Sequence, residues 1–519
     1  MSLQSVTSIT GRNGSSLTGG RLLARNTILS ITGEVAPLAL GLIAIPILVR
    51  QLGADRYGIL TLSYLVVGYL SLFDLGLGRA ATQQIADAIG TDETERIPAI
   101  FWTSLFAMFG LGVGAAVIVT GMSHWLVYRL LSIAPEMRVE SVEVFLVLGA
   151  VLPFILSGAC VTGTLAAYQR FDLTTAVGAS TGAYSFLGPL AVLVFTHKLV
   201  WIILVLATGR LAAWVAGLTL CLRLVPGLTT NIWPERGSLK RLLSFGGWIT
   251  ITGLTSPLMV SFDRFVIGSM LSISAVSYYS VPYQIVNKLP ILPGAMSGVL
   301  FPAFSATARA DSKRASILFE STCRYALLVL FPGVLVLFFF APEILSIFFG
   351  HTFAQQGTTA MRWLLIGVLM NGLAFIPYSL VQAANRPDLT AKFHLAEVPL
   401  YFTALLILLP RFGVSGVAAA WTLRVSVDAA ALFYASVTIL PSTKRVIGQI
   451  ACFTISAAVV IALGDALGAL DLRIMCALAV FLVYMVIGWF RVLNLADRAM
   501  IVRRLTGLAA QAYALKPAA

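Results

Sequence analysis

The stretch Ser30-Ile31-Thr32-Gly33-Glu34-Val35-Ala36-Pro37-Leu38 returns 220 residues later as Thr250-Ile251-Thr252-Gly253-Leu254-Thr255-Ser256-Pro257-Leu258. Both copies carry the pattern I-T-G-x-x-x-P-L, and each falls early in an apolar segment long enough to cross a bilayer. The correspondence runs on downstream, where Leu52-Gly53 with Tyr57 and Tyr64 answers Leu271-Ser272 with Tyr278 and Tyr283. Coincidence in a biased composition is the alternative, and this continuation argues against it. The chain therefore reads as an internally repeated membrane protein.

Composition leads to the same place. Of 519 residues, 58% are apolar and only 11% are charged, whereas soluble globular chains carry about 25% charged residues. So few charges cannot cover a water-facing surface of this size, and a lipid bilayer is the apolar medium that removes the need. Secreted disulfide scaffolds and disordered chains are excluded by the same arithmetic.

Apolar segments fitting a crossing helix recur at 27–49, 58–78, 98–122, 141–165, 173–196, 199–222, 243–268, 276–303, 321–348, 361–384, 391–410, 414–440, 446–470 and 473–494. The alternation of a membrane β-barrel strand is absent, so the expected fold class is an all-α polytopic membrane protein of about fourteen transmembrane helices. Residues 1–26 are basic and lack the apolar core of a signal peptide. Cys160, Cys221, Cys323, Cys452 and Cys476 fall within apolar spans without metal-like spacing and read as small core residues.

The net charge of +13 is mostly topological. With both termini inside, 23 of the 35 Lys and Arg residues lie on the cytoplasmic side and 8 on the outer side, as the positive-inside rule requires. The two repeat copies open the first and seventh spans, six crossings apart. That even number gives both copies the same orientation, a parallel repeat about the membrane normal. The expected organisation is a cytoplasmic tail (1–26), a six-helix lobe (27–224), a cytoplasmic linker (225–242), a second six-helix lobe (243–440), two additional helices (441–494) and a cytoplasmic tail (495–519).

The stretch Asn26 to Gly78, ending Asp74-Leu75-Gly76-Leu77-Gly78, resembles the start of the polysaccharide exporters of the multidrug/oligosaccharidyl-lipid/polysaccharide (MOP) exporter superfamily. Asp263-Arg264-Phe265-Val266-Ile267-Gly268, Ala275-Val276-Ser277-Tyr278-Tyr279 and Leu300-Phe301-Pro302 look like that family's seventh and eighth helices. The resemblance covers most of residues 20–440 and rests on packing residues; Ser272 stands where the family usually has Gly. It implies a Wzx-type flippase that moves polyprenyl-pyrophosphate-linked oligosaccharide from the inner to the outer leaflet of the bacterial inner membrane by alternating access. Its partners would then be that lipid-linked sugar, membrane lipids, and the polysaccharide polymerase and export machinery, with no nucleic acid and no cofactor. A lipid-II flippase is one alternative, since its substrate is also a polyprenyl pyrophosphate. A multidrug-cation antiporter of the same superfamily is another, and it calls for an acidic cavity.

Four basic residues, Arg210, Arg264, Lys288 and Arg424, fall inside predicted spans. A charge there costs roughly 2.5–3.5 kcal/mol on insertion scales, which makes each a functional candidate. If they converge, they form a cationic substrate-binding cavity suited to pyrophosphate, with arginine offering a bidentate fork. The alternative is internal neutralisation. Arg424 and Asp428 are spaced to pair along a helix, whereas Asp263 and Arg264, adjacent in sequence, are expected to point apart. Glu34, Asp263, Glu397 and Asp428 are candidates for ion coupling, with structural pairing as the competing reading. Pro290, Pro293, Gly294 and Gly298 make the eighth span a candidate bending element. Tyr168, Tyr184, Tyr283, Tyr378 and Trp421 are candidate sugar-stacking residues, with packing as the alternative.

No Gly-Lys pair occurs, so a Walker A motif is absent, and HExxH and DxD are absent as well. The four histidines are scattered, and the loop at 50–57 is too short to carry a glycosyltransferase's acceptor site. A transporter is the expected class.

Overall fold

The computed structural model of the chain describes residues 20–72, 77–230, 262–307, 311–444 and 470–487, together with 232, 259, 448 and 498. The second repeat copy, most of the span 243–268, the span 446–470 with Cys452, and the ends of both tails lie outside the described residues. So do the side chains of residues 20–39, among them Glu34.

Every described regular element is helical, as expected where lipid cannot satisfy backbone polar groups and the chain must do so itself. In order they are α1 Gly20–Leu72, α2 Leu77–Gly90, α3 Ile97–Trp125, α4 Arg138–Ala167, α5 Phe171–Leu193, α6 Leu199–Leu224, α7 Asp263–Met270 and α8 Ile273–Val286. They continue as α9 Ile291–Thr307, α10 Ser312–Phe339, α11 Ala341–Phe349, α12 His351–Ala383, α13 Pro387–Ile439 and α14 Leu470–Ile487. Among the described residues, seven helices are long and apolar enough to cross a membrane.

Two of the long elements each contain a pair of expected spans. α1 runs through Gly53 (φ 75°, ψ 171°) and α13 through Gly413 (φ 57°, ψ −136°). Both conformations belong to glycine alone in practice, so one residue suffices to turn the chain between consecutive helices. The eighth span departs from expectation the other way. The chain leaves the helix at Val286, turns through Asn287–Pro290 and resumes at Ile291. Pro290 supplies no N–H to the carbonyl of Val286 and its ring crowds that same carbonyl, which ends the helix there.

The chain divides into two compact units, Met1–Ser280 and Val281–Ala519. The division falls within α8, farther along than the linker expected at 225–242. In the first unit α4 is the hub, packing against α2, α3 and α6. Beneath it a cluster of Leu77, Ile85, Phe101, Cys160 and Cys221 is buried. The turn joining α7 to α8 also belongs to this unit. Ser132 N donates to Gly268 O (2.8 Å) and Ser132 Oγ to Ser269 O (3.1 Å), while Ser274 donates to Asp55 and Ser277 to Ala54 O. Ser272, in place of the family's glycine, caps α8 by accepting from Ala275 N at 3.1 Å.

In the second unit α12 packs along α13, and α14 docks on α10 and α11. Tyr484 Oη donates to Leu327 O (2.8 Å) with its ring 4.6 Å from that of Phe331, and Arg473 bridges to Glu343 at 2.8 Å.

Candidate functional site

The four intramembrane cations fall into two kinds. Arg264 and Arg424 are held by acids; Arg210 and Lys288 have no ion pair among the described residues.

Arg264 sits at the start of α7, 4% exposed, beside Asp263 at 0%. Its Nη1 donates to Asp263 Oδ1 at 2.8 Å, so the neighbours expected to point apart are directly paired. Tyr279 on α8 explains the reversal. Its hydroxyl donates to Asp263 Oδ2 at 2.7 Å, and the guanidinium carbon lies 5.1 Å from its ring centroid. One aromatic side chain thus satisfies both members, and the flexible arginine stem bends back to meet them. Tyr279 was not among the sequence candidates, although the repeat-matched Tyr278 beside it marks the position.

Arg424 lies in the second half of α13, with Nη1 3.6 Å from Glu397 Oε2 in the first half. Glu397 is 3% exposed, and its two carboxylate oxygens are buried beside Arg424 and Asp428. Asp428, one turn after Arg424, interacts with the same carboxylate and has a buried, unbonded Oδ1. Tyr401, one turn after Glu397, places its ring 5.8 Å from the Arg424 guanidinium. Two i,i+4 pairs, Glu397/Tyr401 and Arg424/Asp428, therefore meet. Three of the sequence candidates are brought together here, and Arg424 reaches across to Glu397 as well as lying on the Asp428 face. Of the candidate stacking residues, Tyr283 and Trp421 contact each other edge to face at 5.8 Å in this unit.

Lys288 occupies the turn between α8 and α9 and is exposed. It does not lie within a continuous helix, and the break gives its side chain an opening that a helical position would not.

Arg210 is the twelfth residue of α6, about halfway along it. Ile203, Leu206, Ala207 and Arg210 recur at helical spacing and form one wall of a small, partly open groove of about 30 Å³. Val151 and Ile155 of α4 form a second wall, and Tyr64 of α1 closes it. Tyr64 Oη donates to Ser185 O at 3.0 Å, and Ser63 and Ser185 bond carbonyls one turn back. The hydroxyl donors are therefore engaged locally, and the guanidinium is the charge that the groove presents. Nothing in composition alone separates this arginine from the paired ones; the separation comes from which acids the fold brings near.

The family model described as "Polysaccharide biosynthesis protein" matches residues 23–308. The chain is 26% identical to the Shigella flexneri protein named "Putative O-antigen transporter" over 436 residues, 78% of this chain and 96% of that one. It is 24% identical to the lipopolysaccharide biosynthesis protein WzxC of Escherichia coli over 183 residues, covering 35% of this chain and 36% of that one. Among solved structures it resembles the lipid II flippase MurJ in an inward closed conformation, at TM-score 0.65 and 11% identity, covering 88% of this chain and 98% of that one. It also resembles an inward-facing multidrug transporter of the MOP superfamily, at TM-score 0.63 and 16% identity, covering 80% and 99%. At these identities the structural likeness concerns the fold.

Proposed function

Since the chain belongs to the polysaccharide biosynthesis protein family, we propose that this multi-pass membrane transporter is a flippase for polyprenyl-pyrophosphate-linked oligosaccharide. It carries the lipid-linked sugar from the inner to the outer leaflet of the bacterial inner membrane. The observation that carries the reading is that Arg210 and Lys288 have no ion pair among the described residues, whereas the other two cations of the predicted spans, Arg264 and Arg424, are matched by acids. Uncompensated positive charge in a membrane is costly, and a pyrophosphate is a ligand that compensates it. The transport-protein names of the relatives support the same class.

The mechanism proposed is alternating access between two six-helix lobes, completed by two C-terminal helices to make fourteen crossings, with both termini in the cytoplasm. The pyrophosphate and sugars travel inside while the polyprenyl chain stays in lipid. An inside-negative potential favours outward movement of negative charge by roughly 2.3 kcal/mol per charge per 100 mV, reduced by whatever charge the protein neutralises. Handing the product to a polysaccharide polymerase and export machinery follows from that direction.

Reconstituted vesicles containing the protein test the reading. Fluorescent lipid-linked oligosaccharide added to one leaflet should redistribute faster than in protein-free vesicles; an unchanged leaflet distribution ends the proposal. Competition by lipid II distinguishes the peptidoglycan-precursor alternative, which the MurJ-like fold brings into view. Competition by organic cations tests the antiporter alternative.

A further inference from the structure

We propose that Lys313, Arg314 and Lys444 form a headgroup site for an anionic phospholipid, in the cytoplasmic leaflet on the topology proposed above. The inference concerns the membrane around the protein and not its cargo, so it stands apart from the flippase reading.

The site is assembled in the second unit from two stretches far apart in sequence. Lys313 and Arg314 lie in the first turn of α10, and Lys444 follows the short turn Pro441–Thr443 after α13. The hydroxyls of Ser316 and Ser442 are hydrogen-bonded to each other. Thr443 is buried and donates to Leu440 O at 2.7 Å, so the turn is seated beside the start of α10. At about 100° per residue, Lys313, Arg314 and Ile317 share one side of α10, and Ser316 stands at the edge of that arc. The three cations are exposed and have no ion pair among the described residues. The acid nearest in sequence, Asp311, is turned to capping α10 and accepts from Arg314 N at 2.9 Å. Glu320 is held by Arg324.

Other cations at helix ends are in a different state. Arg96, Arg170 and Arg386 each pair with a neighbouring acid, Glu93, Asp172 and Asp388. Like charges gathered without an acid repel one another, and an anion placed among them relieves the repulsion. What lies beyond the cations selects the kind of anion. Ile317 is 60% exposed, and Val329 and Val336 farther along the same side are exposed too, on a helix long and apolar enough to cross a membrane. A soluble phosphate ester would use the cations alone. A phospholipid uses both surfaces, its phosphate on the cations and an acyl chain along Ile317 and Val329. The stems of lysine and arginine reach along apolar surface and keep their charges at headgroup level. An anionic headgroup carries the net charge that the patch attracts, which a zwitterionic one lacks.

The test measures the lipid retained by the purified full-length protein in nanodiscs of phosphatidylcholine with a minor fraction of phosphatidylglycerol, by native mass spectrometry. Each basic residue near an anionic membrane surface contributes about a factor of five in binding. Lys313→Gln/Arg314→Gln/Lys444→Gln should therefore lower the preference for phosphatidylglycerol by roughly a hundredfold. The charge-keeping variant Lys313→Arg/Arg314→Lys/Lys444→Arg should retain it. Lys392→Gln, at a cation already paired with Asp388, should leave it unchanged. In the parent protein, raising salt from about 0.05 M to about 0.5 M should weaken the preference, because exposed charges are screened. Soluble glycerol phosphate in excess should compete poorly; full competition would assign the patch to soluble phosphate esters and overturn the inference. A preference for phosphatidylglycerol that persists in the triple glutamine variant overturns it as well, and so does equal retention of phosphatidylcholine by the parent protein.

Discussion

Arg264 donates from Nη1 to Oδ1 of the residue immediately before it, Asp263, at 2.8 Å, and both side chains are buried. Successive helix positions diverge in direction, and Tyr279 supports this contact by anchoring the carboxylate from α8 and offering its ring to the guanidinium. Removing the carboxylate takes one partner of a buried ion pair from the guanidinium, a change that costs about 3–5 kcal/mol. Asp263→Asn should therefore lower the thermal unfolding midpoint in detergent far more than Tyr279→Phe, which removes one hydrogen bond to a charged group, about 1.5–3 kcal/mol. The double variant Asp263→Asn/Arg264→Gln should recover part of the loss. A midpoint for Asp263→Asn matching the parent protein would show that the knot contributes nothing to stability.

Gly53 and Gly413 turn the two longest elements through backbone conformations that a Cβ disfavours. Among the described residues no other side chain or backbone lies within 4 Å of where a Cβ would stand at either position, so the cost of alanine there is conformational, about 1–3 kcal/mol per site. Gly53→Ala and Gly413→Ala should each lower the unfolding midpoint. Gly110→Ala, at a helical glycine that is equally open, should leave it unchanged or raise it slightly. Equal midpoints across the three variants would rule out strain at the two turns.

Helix class was legible because apolar length and the backbone's need for internal hydrogen bonds act through composition, which a sequence displays directly. The break at Asn287–Pro290 was only half legible. Pro290 marked a bend, but whether a proline kinks a span or ends it depends on the neighbours that fill the gap. The fate of the cations was less legible still. Arg210, Arg264 and Arg424 look alike along the chain, and only tertiary structure brings Glu397 to Arg424, Tyr279 to Arg264 and aliphatic walls to Arg210. Tyr401 carried a signal, its spacing of four from Glu397, that would have mattered only once the two halves of α13 were known to face each other.

The Glu397–Arg424–Asp428 cluster holds two carboxylates and one guanidinium, which fixes an order of sensitivities. Glu397→Gln leaves Arg424 with Asp428 one turn away on the same face. Arg424→Gln leaves two interacting carboxylates with no cation between them among the described residues. Arg424→Gln should thus destabilise by about 3–5 kcal/mol, and Glu397→Gln by clearly less, as read from unfolding midpoints of the purified variants. In vesicles, Glu397→Gln and Asp428→Asn test the ion-coupling role proposed for these acids. Loss of acceleration by an imposed proton or sodium gradient, with gradient-free exchange retained, is the expected outcome, and an undiminished gradient response would remove both acids from the coupling mechanism.

Serines make a set of hydrogen bonds around the turn between α7 and α8 in the first unit. Ser132 bonds Gly268 O and Ser269 O, Ser274 bonds Asp55, and Ser277 bonds Ala54 O. These residues cluster with Arg50, Arg56, Arg129 and Arg138, the charges that the positive-inside count assigns to the outer face. Neutral hydrogen bonds contribute only about 0.5–1.5 kcal/mol each, so under the proposed alternating-access reading a handful can hold this turn in place and still release it. A variant with Ser132→Cys and Ser269→Cys, made after the five native cysteines are replaced, can be joined by a short bifunctional thiol reagent. The joined protein should bind lipid-linked oligosaccharide from the cytoplasmic side but cease to deliver it to the outer leaflet, and a cleavable linker should restore delivery on reduction. The outer face then has to open there for transport to proceed; full-rate delivery by the joined protein would mean that the α7–α8 turn stays clasped throughout the cycle and that access to the outside arises elsewhere.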